Sequence, residues 1–500
     1  MKRWLILLLL LGLAIRVGLA WLPVDVLIAR TLPDDAFIYF VIARHLAAGL
    51  GATFDGLQST NGFHPLWALL LTPIFKVFSS GDLPVHIALT LAAAFDTAAA
   101  GLSAWTVWRV TRSELAAPLA LGFYLFNPRL IQESVNGLET GLALACLATS
   151  LAVWVWWQEE LDQKKRAALF GLSAGLTFLA RSDLVIIVGL LGLAVLIKMR
   201  TRFTNPLLAV GSAAVVVAPW LGWSQLRVGT LVQSSGVAIP SLVAARIQAG
   251  GDFGVLWDGI LFPVINYGLR DSVIYPGIAI LAAVLGVVFM RWSSHTSVIR
   301  SEAFQKIVPF AWPLAGALII VIVHTVVRWY PRGWYFAPLA WAWVLVSGPL
   351  FAAGLTSPLG RRYGRFVGVL LSLILFGQAL KMLAEPEYVW QSDMRTGADW
   401  LAGNTASDEV IGAFNAGIYA YYSERRVLSL DGLVDWSAIE ARQQNRLLDY
   451  FVERGGDLII DHQAYAESFA TFFGSRELQA VETLPVANTD YGPITIYAVR

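Results

Sequence analysis

Charge is scarce in this chain. Of its 500 residues only 14% are Asp, Glu, Lys or Arg, and 36 cations against 35 anions leave a formal charge of +1. A protein that neutralises nucleic-acid phosphates in number needs a basic surplus, so a nucleic-acid partner is excluded. Cysteine is scarcer still. Cys146 stands alone inside an apolar run, which rules out a disulfide framework and a thiolate metal site. What fills the chain instead is apolar: 57% hydrophobic residues, 20 tryptophans and a mean hydropathy of +0.62. A soluble protein of this length needs more polar surface, so the chain reads as a polytopic membrane protein.

Apolar segments long enough to cross a bilayer, or nearly so, run over 4–22, 85–108, 114–128, 138–157, 167–181, 184–199, 206–223, 272–290, 308–327, 335–354 and 366–383. Met1-Lys2-Arg3 and the leucine run behind it resemble a signal peptide. The apolar stretch reaches Leu22 with Arg16 interrupting it, which favours an uncleaved first span. With eleven spans taken in order, the basic clusters Lys2/Arg3, Arg109/Arg112, Lys164/Lys165/Arg166, Lys198/Arg200/Arg202, Arg291/Arg300/Lys306 and Arg361/Arg362/Arg365 fall on one side. The positive-inside rule makes that side the cytoplasm, with the N-terminus inside and the C-terminus outside a multi-pass inner or plasma membrane protein. Residues 64–79 are apolar enough for a short span, but counting them would invert every later loop. They are expected to form an interfacial or re-entrant helix on the outer face.

From about Glu385 the charge density rises and apolar runs shorten to strand length at 409–413, 426–430, 457–461 and 494–498, with helical patterns at 436–453 and 463–473. Strands alternating with helices predict a small extracytoplasmic α/β domain over 384–500, following a membrane domain over 1–383.

The outer loops collect the polar residues with chemical potential. Asp34 and Asp35 stand where the chain first leaves the bilayer, suited to general-base work or to a divalent cation between two repelling carboxylates. The alternative for Asp34 is a helix N-cap. Residues 35–50 are expected to form an amphipathic helix lying in the interface. Glu139, at the start of an apolar span, is either a further acid of the site or a carboxylate stabilised by the helix dipole. Asn61 and His64 belong to the string TNGFHPLW at 60–67, and His64 is open to metal ligation, proton transfer or simple packing. Arg181 and Asp183 share a tight turn and can neutralise each other. Ser235 lies in the next long outer loop. Arg328 and Arg332, with Tyr330 and Tyr335, put two guanidinium groups on the side where basic residues are rare, and guanidinium suits bidentate phosphate binding. Arg16 inside the first span is costly unless it faces a cavity or snorkels outward, and His324 sits near the outer end of another span.

Taken together, Asp34-Asp35-Ala36-Phe37, TNGFHPLW, Asn136-Gly137-Leu138-Glu139-Thr140, Leu179-Ala180-Arg181-Ser182-Asp183, Ser235-Gly236 and Arg332-Gly333-Trp334-Tyr335 resemble the motifs of the GT-C-fold glycosyltransferases. The likeness is to the bacterial branch of protein mannosyltransferase-like, aminoarabinose transferase-like and arabinofuranosyltransferase-like proteins. It runs over essentially the whole chain, down to Asn415-Ala416-Gly417 and Asp431-Gly432-Leu433-Val434. The resemblance implies an inverting transfer of a sugar from a polyprenyl phosphate to an extracytoplasmic acceptor hydroxyl of a cell-envelope glycan, lipid or protein. It implies Asp34 as base, Asp35 as its orienting or cation-holding neighbour, and Arg328 and Arg332, then Arg16 and Arg181, as phosphate ligands with Tyr335. Glu139 and His64 would complete the wall or, with Asp35, a Mg or Mn site. Asn61, Asp183 and Ser235 would line the acceptor side. A transporter or flippase needs the same spans, but places its ion sites at mid-membrane on broken helices, often with inverted repeats. No internal repeat is visible here.

Overall fold

The computed structural model describes residues 3–157, 163–199, 204–250, 306–327, 332–356, 387–487 and 490–500, with four positions between 374 and 381. Helix α1 (Arg3–Ala20) and helix α2 (Val24–Arg30) meet at a 105° bend, where Pro23 interrupts the ladder. Helix α3 (Asp34–Ala48) follows, then α4 (Pro65–Val77) and α5 (Asp82–Thr111). At 1.5 Å per residue α5 rises about 45 Å and crosses a ~30 Å hydrocarbon core with length to spare, whereas α4 rises only about 20 Å and does not. Among the described residues five helices are long and apolar enough to cross, six if α1 and α2 form one bent span.

Three expected crossings fall short among the described residues, that at 184–199 by length alone, since its apolar helix runs only over Ser182–Ile197. The stretch 114–128 breaks at Asn127-Pro128 into α6 (Ala116–Leu125) and the short α7 (Pro128–Glu133). Asn127 caps α7 by accepting from the backbone of Arg129 and Leu130. The stretch 167–181 belongs to α9 (Gln163–Ala180), which opens on two lysines and an arginine. Helices α8 (Thr140–Trp157), α10 (Val185–Met199), α11 (Thr204–Arg227) and α12 (Ser235–Gly250) continue the bundle. Helices α13 (Ala311–Val326) and α14 (Ala337–Thr356) complete its described part. The span expected at 272–290 lies outside the described residues, as does most of 366–383.

Arg16 finds its solution inside the bundle. It is fully buried, its Nε donates to Asp96 on α5 at 2.7 Å, and its guanidinium also reaches the carbonyls of Gly12 and Leu125. Tyr124 donates to the other Asp96 oxygen at 2.8 Å. A cation, an anion and a phenol from three helices thus pair where water is excluded, with only the Arg16 Nη2 left without a hydrogen bond among the described residues. Arg16, expected among the phosphate ligands, is therefore not among the residues that line the cavity described below.

The C-terminal unit is a mixed five-stranded sheet in the order β2-β1-β3-β5-β4. Strands β1 (Val410–Ala413), β2 (Arg426–Ser429) and β3 (Gly456–His462) are parallel. β5 (Ile494–Val499) runs antiparallel to β3, and β4 (Leu478–Leu484) antiparallel to β5. Helices α15 (Met394–Asn404), α16 (Gly417–Ser423), α17 (Trp436–Gln443), α18 (Leu447–Glu453) and α19 (Gln463–Phe469) alternate with the strands. One face of the sheet shares a continuous apolar core with the helical bundle, and the other builds its own around Phe414, Phe451, Phe469 and Phe473.

Helix α3 is the seam between the two parts, and it corrects the interfacial expectation. From Ala36 to Ala43 every residue is buried, so the helix is enclosed rather than amphipathic at a surface. It packs between α4 and α16. Asp34 accepts from the backbone of Gly417 and Ile418 at 3.0 and 2.6 Å, and Arg44 donates to the carbonyls of Ala420 and Tyr421 at 3.1 Å. An acid on the first amides of α16 and a cation on its last carbonyls complement both ends of one short helix. Arg426 and Arg454 pair with Asp55 of the first long loop, and Arg395 pairs with Asp25 and Asp82, which widens the seam.

Candidate active site

A cavity of about 830 Å³ opens between α3, the 62–65 loop, the turn at 181–183, α11, the start of α12, the 332–335 segment and the edge of the sheet. Asp35, His64, Glu139, Arg181, Asp183, Ser235, Arg332 and Tyr335 all line it. Eight expected site residues, scattered over three hundred positions, therefore converge on one volume. Arg328 lies outside the described residues.

The geometry separates the two aspartates. Adjacent residues on a helix point about 100° apart, so only one of the pair can face the cavity squarely. Asp35 lines it, while Asp34 turns to the first turn of α16. Burial pushes Asp34 up to about 8, with its two backbone donors acting in the opposite direction. Gly417 makes this contact possible: a Cβ there would sit 2.2 Å from the Asp34 carbonyl oxygen. Asp34, expected as the base, therefore has its carboxyl on the first amides of α16, while Asp35 is the member of the pair that lines the cavity.

Asp35 is raised above the usual carboxylate range by burial; the Arg332 guanidinium draws it down and Glu139 pushes it up. One turn further along α3, Tyr39 donates to Glu139 Oε2 at 2.8 Å and accepts from the backbone N–H of His64 at 3.1 Å. Spacing from Asp35 to Tyr39 is i to i+4, which puts both on one face. That periodicity was the signal for Tyr39 in the sequence. Glu139 is placed by Gly137, whose φ of 74° is the left-handed region and whose missing Cβ leaves room for Leu32 and Ala36.

His64 Nε2 lies 3.7 Å from Glu139 Oε1, and its Nδ1 faces the Gln233 amide nitrogen at 3.3 Å. Burial lowers the His64 pKa against the pull of Glu139. A neutral ring with its proton on Nε2 fits both neighbours. Arg181 is buried and forked onto Asp183, 3.0 Å on each branch, and also donates to the Trp334 carbonyl at 2.7 Å. Its guanidinium lies 5.2 Å over the Tyr335 ring. His324 Nε2 stands 3.4 Å from the same Asp183 carboxylate. The structural pairing of Arg181 with Asp183 and a place on the cavity wall thus hold together.

Asn61, expected on the acceptor side, braces the loops behind the cavity wall. It is fully buried. Its amide donates to Ser224 and to the Val232 carbonyl, while its oxygen accepts from the Ser234 backbone and the Trp436 indole. The expected Mg or Mn set of Asp35, His64 and Glu139 does not assemble: among the described residues no three His, Cys, Asp or Glu side chains converge as metal ligands. The wall also contains residues that carried no assigned role in the sequence: Tyr39, Gln233, and from the sheet unit Asn415, Asp431, Tyr465 and Tyr491.

This architecture has known counterparts. Over 99% of this chain and 98% of the other, it superposes on ArnT from Cupriavidus metallidurans bound to undecaprenyl phosphate, with a TM-score of 0.57 at 14% identity. The apo oligosaccharyltransferase of Archaeoglobus fulgidus matches over 95% of this chain and 72% of its own, with a TM-score of 0.54 at 12% identity. The chain has the GT-C fold. A terminal beta-(1->2)-arabinofuranosyltransferase of Mycobacterium tuberculosis is 24% identical over 283 residues, 54% of this chain, and the match spans less than half (43%) of that protein's length. Residues 383–497 match the model of a domain of unknown function, DUF8728. The archaeal protein has also been crystallised with zinc and sulfate. No comparable ligand set is present among the described residues of this chain.

Proposed function

We propose that this GT-C protein is a multi-pass membrane glycosyltransferase that moves a sugar from a polyprenyl phosphate to an acceptor hydroxyl with inversion. One observation carries the reading: a carboxyl group on helix α3, Asp35, shares a cavity with two arginines, Arg181 and Arg332, on a fold that in ArnT holds undecaprenyl phosphate. An acceptor oxygen attacks the anomeric carbon, the bond from that carbon to phosphate oxygen breaks, and polyprenyl phosphate leaves with the electron pair. Asp35 takes the acceptor proton. Arg332, with Tyr335 and the Arg181–Asp183 pair behind it, meets the charge developing on the phosphate. Glu139, Tyr39 and His64 form a hydrogen-bonded wall that holds the reactants in line. Ser235 and Asp183 line the same volume. No step is assigned to a metal, because the candidate ligands do not converge.

Membrane orientation follows the basic clusters: N-terminus in the cytoplasm and a domain over 384–500 outside, where the DUF8728 match begins at 383. The arabinofuranosyltransferase match makes a polyprenyl-phosphate pentose the first donor to try. Incubating the purified chain with polyprenyl-phosphate pentoses and hexoses, and measuring released polyprenyl phosphate, tests the reading. Release from one donor that is lost in Asp35→Asn supports it; no release from any donor, with undecaprenyl phosphate failing to bind, rejects it.

A further inference from the structure

The sheet unit turns a particular edge to the cavity. Its three parallel strands β2, β1 and β3 all end there. Asn415 lies two residues past β1, Asp431 two past β2, and Tyr465 three past β3, and all three line the cavity. In open α/β sheets the crevice outside the carboxyl ends of parallel strands is where small ligands bind, because loops diverge there on opposite sides of the sheet. The order 2-1-3 creates that divergence around β1.

The residues on this edge are chemically specific. Asp431 Oδ1 accepts from the Ser429 hydroxyl and the Leu433 N–H, which fixes the carboxyl plane, while Oδ2 accepts no hydrogen bond among the described residues. Burial pushes Asp431 up to about 7, and Asp35 across the cavity adds to the rise. Elsewhere on the same cavity lining, past β3, Tyr465 and Tyr491 stack, 5.4 Å between centroids and 14° between planes, with Trp390 packed against both at 5.3 and 5.1 Å. Asp461, fully buried at the end of β3, braces the floor by accepting from the backbone of Phe414 and Asn415. An aromatic step and a fixed carboxyl on the wall of one cavity are the groups that recognise a sugar: ring C–H groups against the π face, a hydroxyl on the oxygen.

We infer that the carboxyl edge of the β2-β1-β3 sheet is the acceptor subsite and that it takes a neutral saccharide, with Asp431 on a hydroxyl and the Tyr465–Tyr491 step under a ring. The inference rests on the glycosyltransferase reading for its direction: Asp35 reaches the cavity from the membrane side, and the acceptor enters from the sheet side.

The test uses the full chain in detergent and two probes. Saturation-transfer NMR measures binding of methyl di-saccharides of arabinofuranose, mannose and galactose; tryptophan fluorescence measures binding of undecaprenyl phosphate. At least one disaccharide should bind. Asp431→Asn should weaken it about tenfold or more, as expected for losing a hydrogen bond to an ionisable group. Tyr465→Ala with Tyr491→Ala should weaken it further, Tyr465→Phe should retain it, and undecaprenyl phosphate binding should stay as in the parent. Binding of no disaccharide, or binding indifferent to Asp431→Asn and to the tyrosine pair, overturns the subsite while leaving donor chemistry intact. Conversely, saccharide binding that depends on Asp431 in a protein that neither binds undecaprenyl phosphate nor releases it from any donor keeps the subsite and rejects the transferase. If the double alanine variant unfolds, the isosteric Asp431→Asn and the phenylalanine variant decide alone.

Discussion

Replacing each aspartate of the pair by asparagine separates a chemical role from a structural one. Asp35→Asn keeps the shape of the cavity wall and removes the proton acceptor. General-base catalysis is worth about 10²–10⁴-fold, so turnover should fall by that factor, about 3–5 kcal/mol of barrier, with the melting midpoint close to the parent's. Asp34→Asn leaves the cavity wall alone and strikes the seam. The carboxylate accepts two backbone bonds, at 3.0 and 2.6 Å. An amide offers one acceptor oxygen and turns an NH₂ towards the second N–H. A buried N–H left without its acceptor costs about 1–3 kcal/mol, and docking stability should fall by about that much. Activity per folded molecule should stay within a few-fold. Polyprenyl phosphate release, thermal melting and limited proteolysis between the bundle and the sheet unit read these effects side by side. An Asp34→Asn protein that melts like the parent but is inactive, beside an Asp35→Asn protein that turns over, would falsify the assignment.

The pH profile gives a second handle with opposite signs. Asp35 acts when ionised, so the rate falls as pH drops through its pKa, and burial places that limb above the ordinary carboxylate range. Arg332→Ala removes the cation that favours the carboxylate and should move the limb to higher pH; Glu139→Gln removes a repelling anion and should move it lower. Both limbs moving the same way would reject the Asp35–Arg332–Glu139 electrostatics. Arg16→Met leaves Asp96 buried without its cation and should cost about 3–5 kcal/mol of stability in denaturation of the solubilised protein. Arg16→Met with Asp96→Leu should regain most of it, whereas equal losses in the single and double variants would show that the pair is not coupled. Gly417→Ala drives a methyl towards the Asp34 carbonyl and should weaken docking by about 1–3 kcal/mol, read as faster proteolysis at the seam.

Much of this arrangement is written in the chain where a single physical pattern dominates. Apolar runs and basic clusters mark the bundle, and the change to short β-branched stretches after residue 384 marks four of the five strands. The missed strand, β4, is an edge strand whose residues are largely exposed, so it carries no buried alternation to detect. Short polar strings in separate loops meet on one cavity, and polar side chains in so apolar a chain have few other reasons to be there. Asp431 and Tyr465 stay silent for the converse reason: an aspartate after a strand and a tyrosine in a helix are ordinary in an α/β unit. Only the sheet order turns them towards the cavity.

Asp34 and Arg16 show where local inference misleads. Each is a charge in apolar surroundings, and a charge there must be either functional or paired. Sequence reveals the charge but not the partner, because the partner lies far along the chain: Asp96 is 80 residues from Arg16, and Gly417 is 383 residues from Asp34. Once the partner is found the functional claim passes to a neighbour. For Asp34 that neighbour is Asp35, about 100° round the same helix. The adjacency has a mechanical consequence. Any shift of α16 that pulls on Asp34 rotates or slides α3 and carries Asp35 with it, so docking of the sheet unit and alignment of the base are one adjustment. Gly417→Ala should therefore lower turnover by no more than the few-fold expected for Asp34→Asn, alongside the loss of docking, and adding Asp34→Asn should not compound the loss in full, since both act through the same contact. Fully additive losses in the double variant would mean that the seam and the base are independent.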